Sequence, residues 1–215
     1  MTDSKLNHLP RRAWLAAVGA FALSANLPLA WAQAETPEAL IQRIAGELIE
    51  QVKNDRAIQA GDLAKVVALV DTKIMPHVNF TRMTASAVGR FWRQATPEQK
   101  HRLQDEFKTL LVRTYAGALS QLKDQTLTLK PSRSRPEDTE VIVRSEVRGK
   151  GDPVQLDYRL EKTANGWKVY DINVLGVWLV ETYRGQFAQE INAKGIDGLI
   201  ASLVERNRTN AAKAS

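Results

Sequence analysis

The hydrophobic residues of this 215-residue chain change period twice, and that change restricts the fold more than any other feature. From Thr36 to about Leu122 they recur every three or four positions, as on one face of a helix. Between Thr126 and Val174 they alternate with polar residues, as in a half-buried strand. Beyond Gly176 the helical period returns. Helices, then a strand meander, then helices again describe an α+β domain with helices packed on one side of a four-stranded antiparallel sheet.

The boundaries are marked by local chemistry. Thr36-Pro37-Glu38 opens a first helix to about Lys53, with Leu40, Ile41, Ile44, Leu48 and Val52 on one face. Asp62 caps a second, which carries Leu63, Val66, Val67, Val70 and Ile74 until Pro76 stops it. A third helical stretch, about Thr81–Arg93, leads to the strongest signal in the chain. There Thr96 stands as N-cap, Pro97 at the first helical position and Gln99 at the third, the pattern of a capping box. Behind it Leu103, Phe107, Leu110, Leu111, Thr114, Tyr115, Ala118 and Leu122 cover an arc of roughly 140°, wider than the ~100° stripe of a surface helix. Such a face suits either a core helix or one wall of an apolar cavity.

The expected strands are Thr126–Lys130, Val141–Arg148, Val154–Leu160 and Trp167–Val174, with Asn165-Gly166 at a hairpin turn. In the last strand the apolar register slips from Trp167 and Val169 to Tyr170, Ile172 and Val174, which calls for a bulge or for cover on both faces. Leu179, Val180, Tyr183, Phe187 and Ile191 mark a helix up to Gly195; Asp197–Arg206 forms a last one, and residues 207–215 read as a polar, frayed tail.

The first residues read as an address. Arg11 and Arg12 precede an apolar run from Ala13 to Leu23, and Ala30-Trp31-Ala32 supplies small residues at a cleavage site. The run is shorter than the ~20 apolar residues of a membrane span. Residues 1–32 are expected to be a cleaved export signal; Arg11-Arg12-Ala13-Trp14-Leu15 also resembles a twin-arginine signal, although Pro10 replaces the usual polar residue. Residues 33–206 then form a single domain. The net charge is +6, three of the basic residues lying in the leader. An exported chain of modest basicity has little occasion to bind nucleic acid, and lipid headgroups or membrane surfaces suit it better. With no cysteine, disulfides, thiolate metal sites and cysteine nucleophiles are excluded.

A search for chemistry finds little. His77 and His101 have no partner at ligand spacing, so no metal site is expected. There is no G-x-S-x-G serine and no phosphate-cradling glycine loop. The acid–base candidates are Asp171 beside Tyr170 and Asp157 beside Tyr158, which supply the rival reading of an enzyme acting on an apolar substrate. Aromatic residues are spread through the elements from Phe80 to Phe187, with Arg82, Arg90, Arg93, Arg113 and Arg184 beside several of them. Together they suit a greasy pocket with a cationic mouth.

Several ordered segments resemble the MlaC family of soluble periplasmic phospholipid carriers, also called toluene-tolerance auxiliary proteins. They are Ile74–Phe80 (IMPHVNF), Gly89–Gln99 (GRFWRQATPEQ), Phe107–Leu119 (FKTLLVRTYAGAL), Val154–Leu160 with Asn165–Asp171, and Gly176–Phe187 (GVWLVETYRGQF). The resemblance implies an apolar lipid cavity between helices and sheet, in a monomer with no cofactor besides its cargo. It implies a carrier that shuttles phospholipid between an outer-membrane lipoprotein complex and an inner-membrane ABC transporter bearing an MCE-domain ring, maintaining outer-membrane lipid asymmetry. A related lipid such as a hopanoid precursor is an alternative cargo. On this reading Val78, Phe80, Phe91, Leu110, Leu111, Tyr115 and Leu119 form the helical wall. Val141, Val143, Leu156, Tyr158, Leu160, Val169 and Ile172 form the sheet wall, and Val177 and Leu179 close one end. Arg113, Tyr183 and Arg184 stand at the mouth for the phosphate, with surface ion pairing as the competing role of the arginines. Family members carry a serine after Gly-Val where this chain has Trp178, which leaves the pocket's shape open at that point.

Overall fold

The computed structural model describes residues 35–132, 134–135, 137–149 and 151–213. The expected export signal lies outside the described residues. Helix α1 (Pro37–Asn54) starts where Thr36 accepts a hydrogen bond from the Ala39 amide, and the short α2 (Arg56–Gln59) and α3 (Leu63–Leu69) follow with aspartate caps. The third predicted helix is divided. Helix α4 (Phe80–Val88) is capped by Asn79 and ends at Gly89, whose φ of 64° turns the chain into a 3₁₀ segment over Gly89–Arg93. Helix α5 (Pro97–Ser120) has the full capping box: Thr96 Oγ1 accepts from the Gln99 amide at 3.1 Å, and Gln99 Oε1 accepts from the Thr96 amide at 3.0 Å.

The sheet has five strands, not four: β1 (Thr126–Leu129), β2 (Glu140–Arg148), β3 (Val154–Thr163), β4 (Gly166–Val174) and β5 (Val177–Trp178) form an antiparallel meander in sequence order. The fifth is two residues long, too short to show any alternation in the sequence. It joins β4 through the two-residue turn Leu175-Gly176, with φ of 53° and 88°. The slip in β4 is a bulge. Arg159 pairs with Asp171 and Leu160 with Val169, leaving Tyr170 without an opposite number. The bulge lets Val169 before it and Ile172 after it both pack on the same core. That face also carries Val141, Val143 and Val147 of β2 and Leu156, Tyr158 and Leu160 of β3.

Helix α6 (Leu179–Lys213) is two arms broken at Gly195, where φ is 71°. Ser202 Oγ donates to Glu190 and Arg206 donates to Gln186, so the second arm folds back along the first. The second arm continues past Arg206 to Lys213, through the stretch that composition alone suggests is a frayed tail. The reason is Asn207, which is buried and donates through Nδ2 to the Glu106 backbone carbonyl and side chain of α5.

Buried side chains gather in three clusters. The helical core holds Met83, Leu103, Phe107, Phe187, Leu199 and Leu203 from α4, α5 and α6. The sheet core joins Leu40 and Ile41 of α1 to the inner face of the strands. The third packs Leu48 and Val52 of α1 against Val66 and Leu69 of α3 and Val112 of α5. Val78 packs against both the helical and the sheet cores, and the Asn79 amide donates to the Val169 carbonyl at 2.8 Å.

Leu175 occupies a left-handed backbone position that suits asparagine or glycine, yet its side chain is 65% exposed and gains little from packing. Replacing it by asparagine is expected to stabilise the fold by about 1 kcal/mol, read as a raised urea midpoint at unchanged m-value.

Candidate functional site

Between α5, the β4–β5 hairpin and α6 lies an open cavity of ≈ 270 Å³. Helix α5 contributes Leu110 and Tyr115, the β4–β5 hairpin contributes Val174 and Val177, and α6 contributes Leu179, Thr182, Tyr183 and Gln186. The last four are spaced i, i+3, i+4, i+7, one face of the first arm. Arg206 enters from the second arm, brought there by the fold-back at Gly195. Its guanidinium donates to Gln186 Oε1 at 3.3 Å and lies 3.6 Å from Glu190. The lining thus combines apolar side chains with hydroxyl, amide and guanidinium groups.

The back of this wall is solid. The Tyr183 ring meets Phe107 edge-on at 4.9 Å, and Phe107 meets Phe187 at 5.2 Å. Phe107 is fully buried, so the cavity side of Tyr183 is the boundary of the helical core. Burial holds the phenols of Tyr115 and Tyr183 above their ordinary ionisation range. Tyr158, shielded within the sheet core, is pushed up to about 12.

Of the expected site residues, Leu110, Tyr115, Val177, Leu179 and Tyr183 line this cavity. Val141, Val143, Leu160 and Val169 are buried in the sheet core, with Leu156, Tyr158 and Ile172 half-buried beside them. Val78, Phe80, Phe91 and Leu111 pack against the helical core, and Leu119 against the α1–α3–α5 cluster. The two expected mouth arginines hold backbone carbonyls: Arg113 donates to Asn207 and Arg184 donates to Ser86 at 2.9 Å. Val174, Thr182, Gln186 and Arg206 were not among the expected residues. The helical spacing from Leu179 implicates Thr182 and Gln186, whereas Arg206 depends on the fold-back and has no local signal.

Trp178 does not enter the cavity. It pairs with Asn173 across the β4–β5 ladder and lies on the outer face of the sheet, with the Arg159 guanidinium 3.9 Å from its ring centroid. The aspartates of the enzyme reading are on that outer face too. Asp171 is 1% exposed; its Oδ1 accepts from the Ile172 and Val180 amides and its Oδ2 from Arg159 at 3.0 Å. Burial pushes its carboxyl up despite these partners. Its role here is to tie the first turn of α6 to the sheet. Asp157 accepts from Gln155 at 3.0 Å and points away from Tyr158, which faces the inner core. No Asp–Tyr pair is assembled at the cavity. Among the described residues no group of three or more His, Asp or Glu side chains is placed to hold a metal ion, and no helix is long and apolar enough to cross a membrane.

The profile of the family described as MlaC protein matches residues 42–205, which takes in every cavity-lining residue except Arg206. The chain belongs to the MlaC family. Among family relatives it is 28% identical over 181 residues to "Toluene tolerance protein ttg2D" of Pseudomonas putida, covering 83% of this chain and 84% of that protein. It is 25% identical over 188 residues to "Intermembrane phospholipid transport system binding protein MlaC" of Haemophilus influenzae, covering 85% and 88%. A solved phospholipid-binding protein from Ralstonia solanacearum, determined in complex with a phospholipid, is 50% identical; the match covers 81% of this chain and 98% of that one, with a TM-score of 0.79.

All four tyrosines of this MlaC-family chain sit where their neutral form is favoured, through burial first in each case. Spectrophotometric titration of the folded protein should therefore show fewer than half of them ionised at pH 10, the ordinary phenol value. Tyr158→Phe should remove the last transition, near 12.

Proposed function

We propose that this chain is a phospholipid carrier of the bacterial periplasm, passing lipid between an outer-membrane lipoprotein complex and an inner-membrane MCE-bearing ABC transporter. The observation that carries the reading is the cavity between helices and sheet, lined by both apolar and polar side chains, in a chain half identical to a protein solved with a phospholipid. At about 0.8 kcal/mol per methylene, two acyl chains of roughly thirty methylenes cost on the order of 24 kcal/mol to expose to water. A soluble carrier has to replace the bilayer for those chains while leaving the headgroup wet. No bond is made or broken in that task. Export through residues 1–32 delivers the chain to the compartment where the task arises.

The cavity's size implies movement. A methylene takes about as much room as a liquid water, ~30 Å³, so thirty of them need on the order of 900 Å³. That is roughly threefold more than the ≈ 270 Å³ between Val174, Val177 and the α5–α6 wall. The helical and sheet cores are joined at the far end through Val78 and Asn79, and α6 is tied to β4 by the Val180 amide donating to Asp171. Loading widens this cavity and extends the apolar lining from Val174 along Ile172, Leu156 and Tyr158 of the inner sheet face. Tyr183 and Arg206 meet the phosphate at the rim. Arg113 and Arg184, each engaged with a backbone carbonyl, hold α5 and α4 to α6.

The protein purified from bacterial periplasm without detergent should carry diacyl phospholipid at defined stoichiometry, measured by native mass spectrometry and organic extraction. A lipid-free protein overturns the carrier reading. Tyr115→Glu places a charge on the cavity wall and should lower the co-purifying lipid several-fold, with an unchanged circular-dichroism spectrum showing that the fold persists.

A further inference from the structure

An open surface groove along α6, lined by Gln186, Gln189, Glu190, Ala193, Lys194 and Arg206, adjoins this cavity. Gln186 and Arg206 belong to both linings. A path that starts among Leu110, Val174 and Leu179 therefore passes Arg206 and ends among charged and amide side chains. This order of surfaces, apolar, then cationic, then mixed in charge, matches the order of groups along a phospholipid.

The charges in this groove are arranged around Glu190. Ser202 Oγ donates to its Oε2 at 3.0 Å, Lys194 Nζ lies 3.4 Å from the same oxygen, and Arg206 Nη2 lies 3.6 Å from Oε1. The last separation is longer than a normal hydrogen bond, so the guanidinium, with five donors, faces Glu190 without the paired contact it is able to make. The Glu190 side chain is 24% exposed, and the Lys194 and Arg206 side chains are 62% and 42% exposed, so these attractions are weak and exchangeable. The Ser202 hydroxyl and the two cations keep the Glu190 carboxyl below its usual range, hence ionised at neutral pH.

We infer that this groove is a headgroup subsite for a zwitterionic phospholipid, with Arg206 and Lys194 receiving the phosphate and Glu190 receiving the ammonium of an amino-alcohol headgroup. The inference rests on the carrier reading above and adds a headgroup class to it. Its basis is charge compensation. A phosphate entering between Arg206 and Lys194 draws both cations away from Glu190 and leaves that carboxylate beside a new anion. A headgroup with its own cation two carbons from the phosphate restores the balance, because one oppositely charged pair replaces another. A glycerol headgroup brings the phosphate without the cation and leaves Glu190 uncompensated.

The test compares the phosphatidylethanolamine to phosphatidylglycerol ratio in cargo extracted from the periplasmic protein with the ratio in membranes of the same cells. The wild-type cargo should be enriched several-fold in phosphatidylethanolamine. Glu190→Gln should bring the ratio down to that of the membranes while total loading persists, and Glu190→Asp should retain the enrichment. Arg206→Gln should lower loading of both lipids. If wild-type cargo mirrors the membranes, or Glu190→Gln leaves the enrichment intact, the subsite is overturned and the carrier reading stands. If no phospholipid is recovered from the wild-type protein, both readings fall together. Water-soluble glycerophosphoethanolamine should give no adduct by native mass spectrometry; binding equal to that of the lipid would assign the groove to a free phosphodiester and overturn the proposal. Thermal melting of each variant separates a lost subsite from a lost fold.

Discussion

The structure depends on how its helical core is clasped to the sheet around residues 78–82, with a second tie where Asp171 receives the first turn of α6. Val78 packs into both, the Asn79 amide donates to the Val169 carbonyl, and Arg82 reaches from α4 to the sheet. Its guanidinium forks to Glu161 at 2.5 Å and Glu140 at 2.8 Å, while its plane lies over Tyr170, 3.6 Å from the ring centroid. Asn79 and the Tyr170 hydroxyl donate to the same two carboxylates. The Glu161 arm, 18% exposed, is of the kind that contributes about 1.5–3 kcal/mol, whereas the more exposed Glu140 arm adds much less. This clasp and the Asp171–Val180 tie together set how the helices sit over the sheet beside the cavity.

The cavity's position follows from the bulge and the β4–β5 turn. Tyr170 is squeezed out of register at the clasp, where Glu140 and Arg82 engage it, and this displacement puts Ile172 and Val174 on the inner face. The left-handed turn at Leu175-Gly176 then reverses the chain so that Val177 pairs with Val174 beside the cavity. Trp178, one residue on, is carried to the outer face. There it covers Arg159, which in turn holds the buried Asp171 that receives the first turn of α6. The inner face of the sheet thus serves the cavity, and the outer polar network anchors the helix that forms its opposite wall.

Much of the local structure was legible in the chain. Thr96 and Gln99 announced the start of α5 because a capping box is a short-range arrangement that three residues specify. Gly195 announced a break for the same reason, since only a residue without a Cβ adopts its φ cheaply. The slip of apolar register in β4 pointed to the bulge. The fifth strand left no such trace, because two residues have no period. The site was legible in part. Tyr115, Leu110, Val177, Leu179 and Tyr183 were accessible from helical spacing and family resemblance, but neither indicates which arginine reaches the rim. Arg113 and Arg184 lie near Tyr115 and Tyr183 in sequence and donate to the Asn207 and Ser86 carbonyls. Arg206 is distant in sequence and arrives through a chain reversal.

The sequence by itself determined the α+β class, the main element boundaries, the family and the absence of cysteine chemistry, because these follow from periodicity, capping and composition over short windows. The tertiary structure alone decided which apolar faces are core and which face a cavity, since one amphipathic stripe serves both. It also decided that Trp178 and the two aspartates lie behind the sheet and that Arg206 stands where the cavity meets the surface groove. Those outcomes depend on the bulge in β4 and the fold-back at Gly195, each of which brings together residues that no local pattern relates.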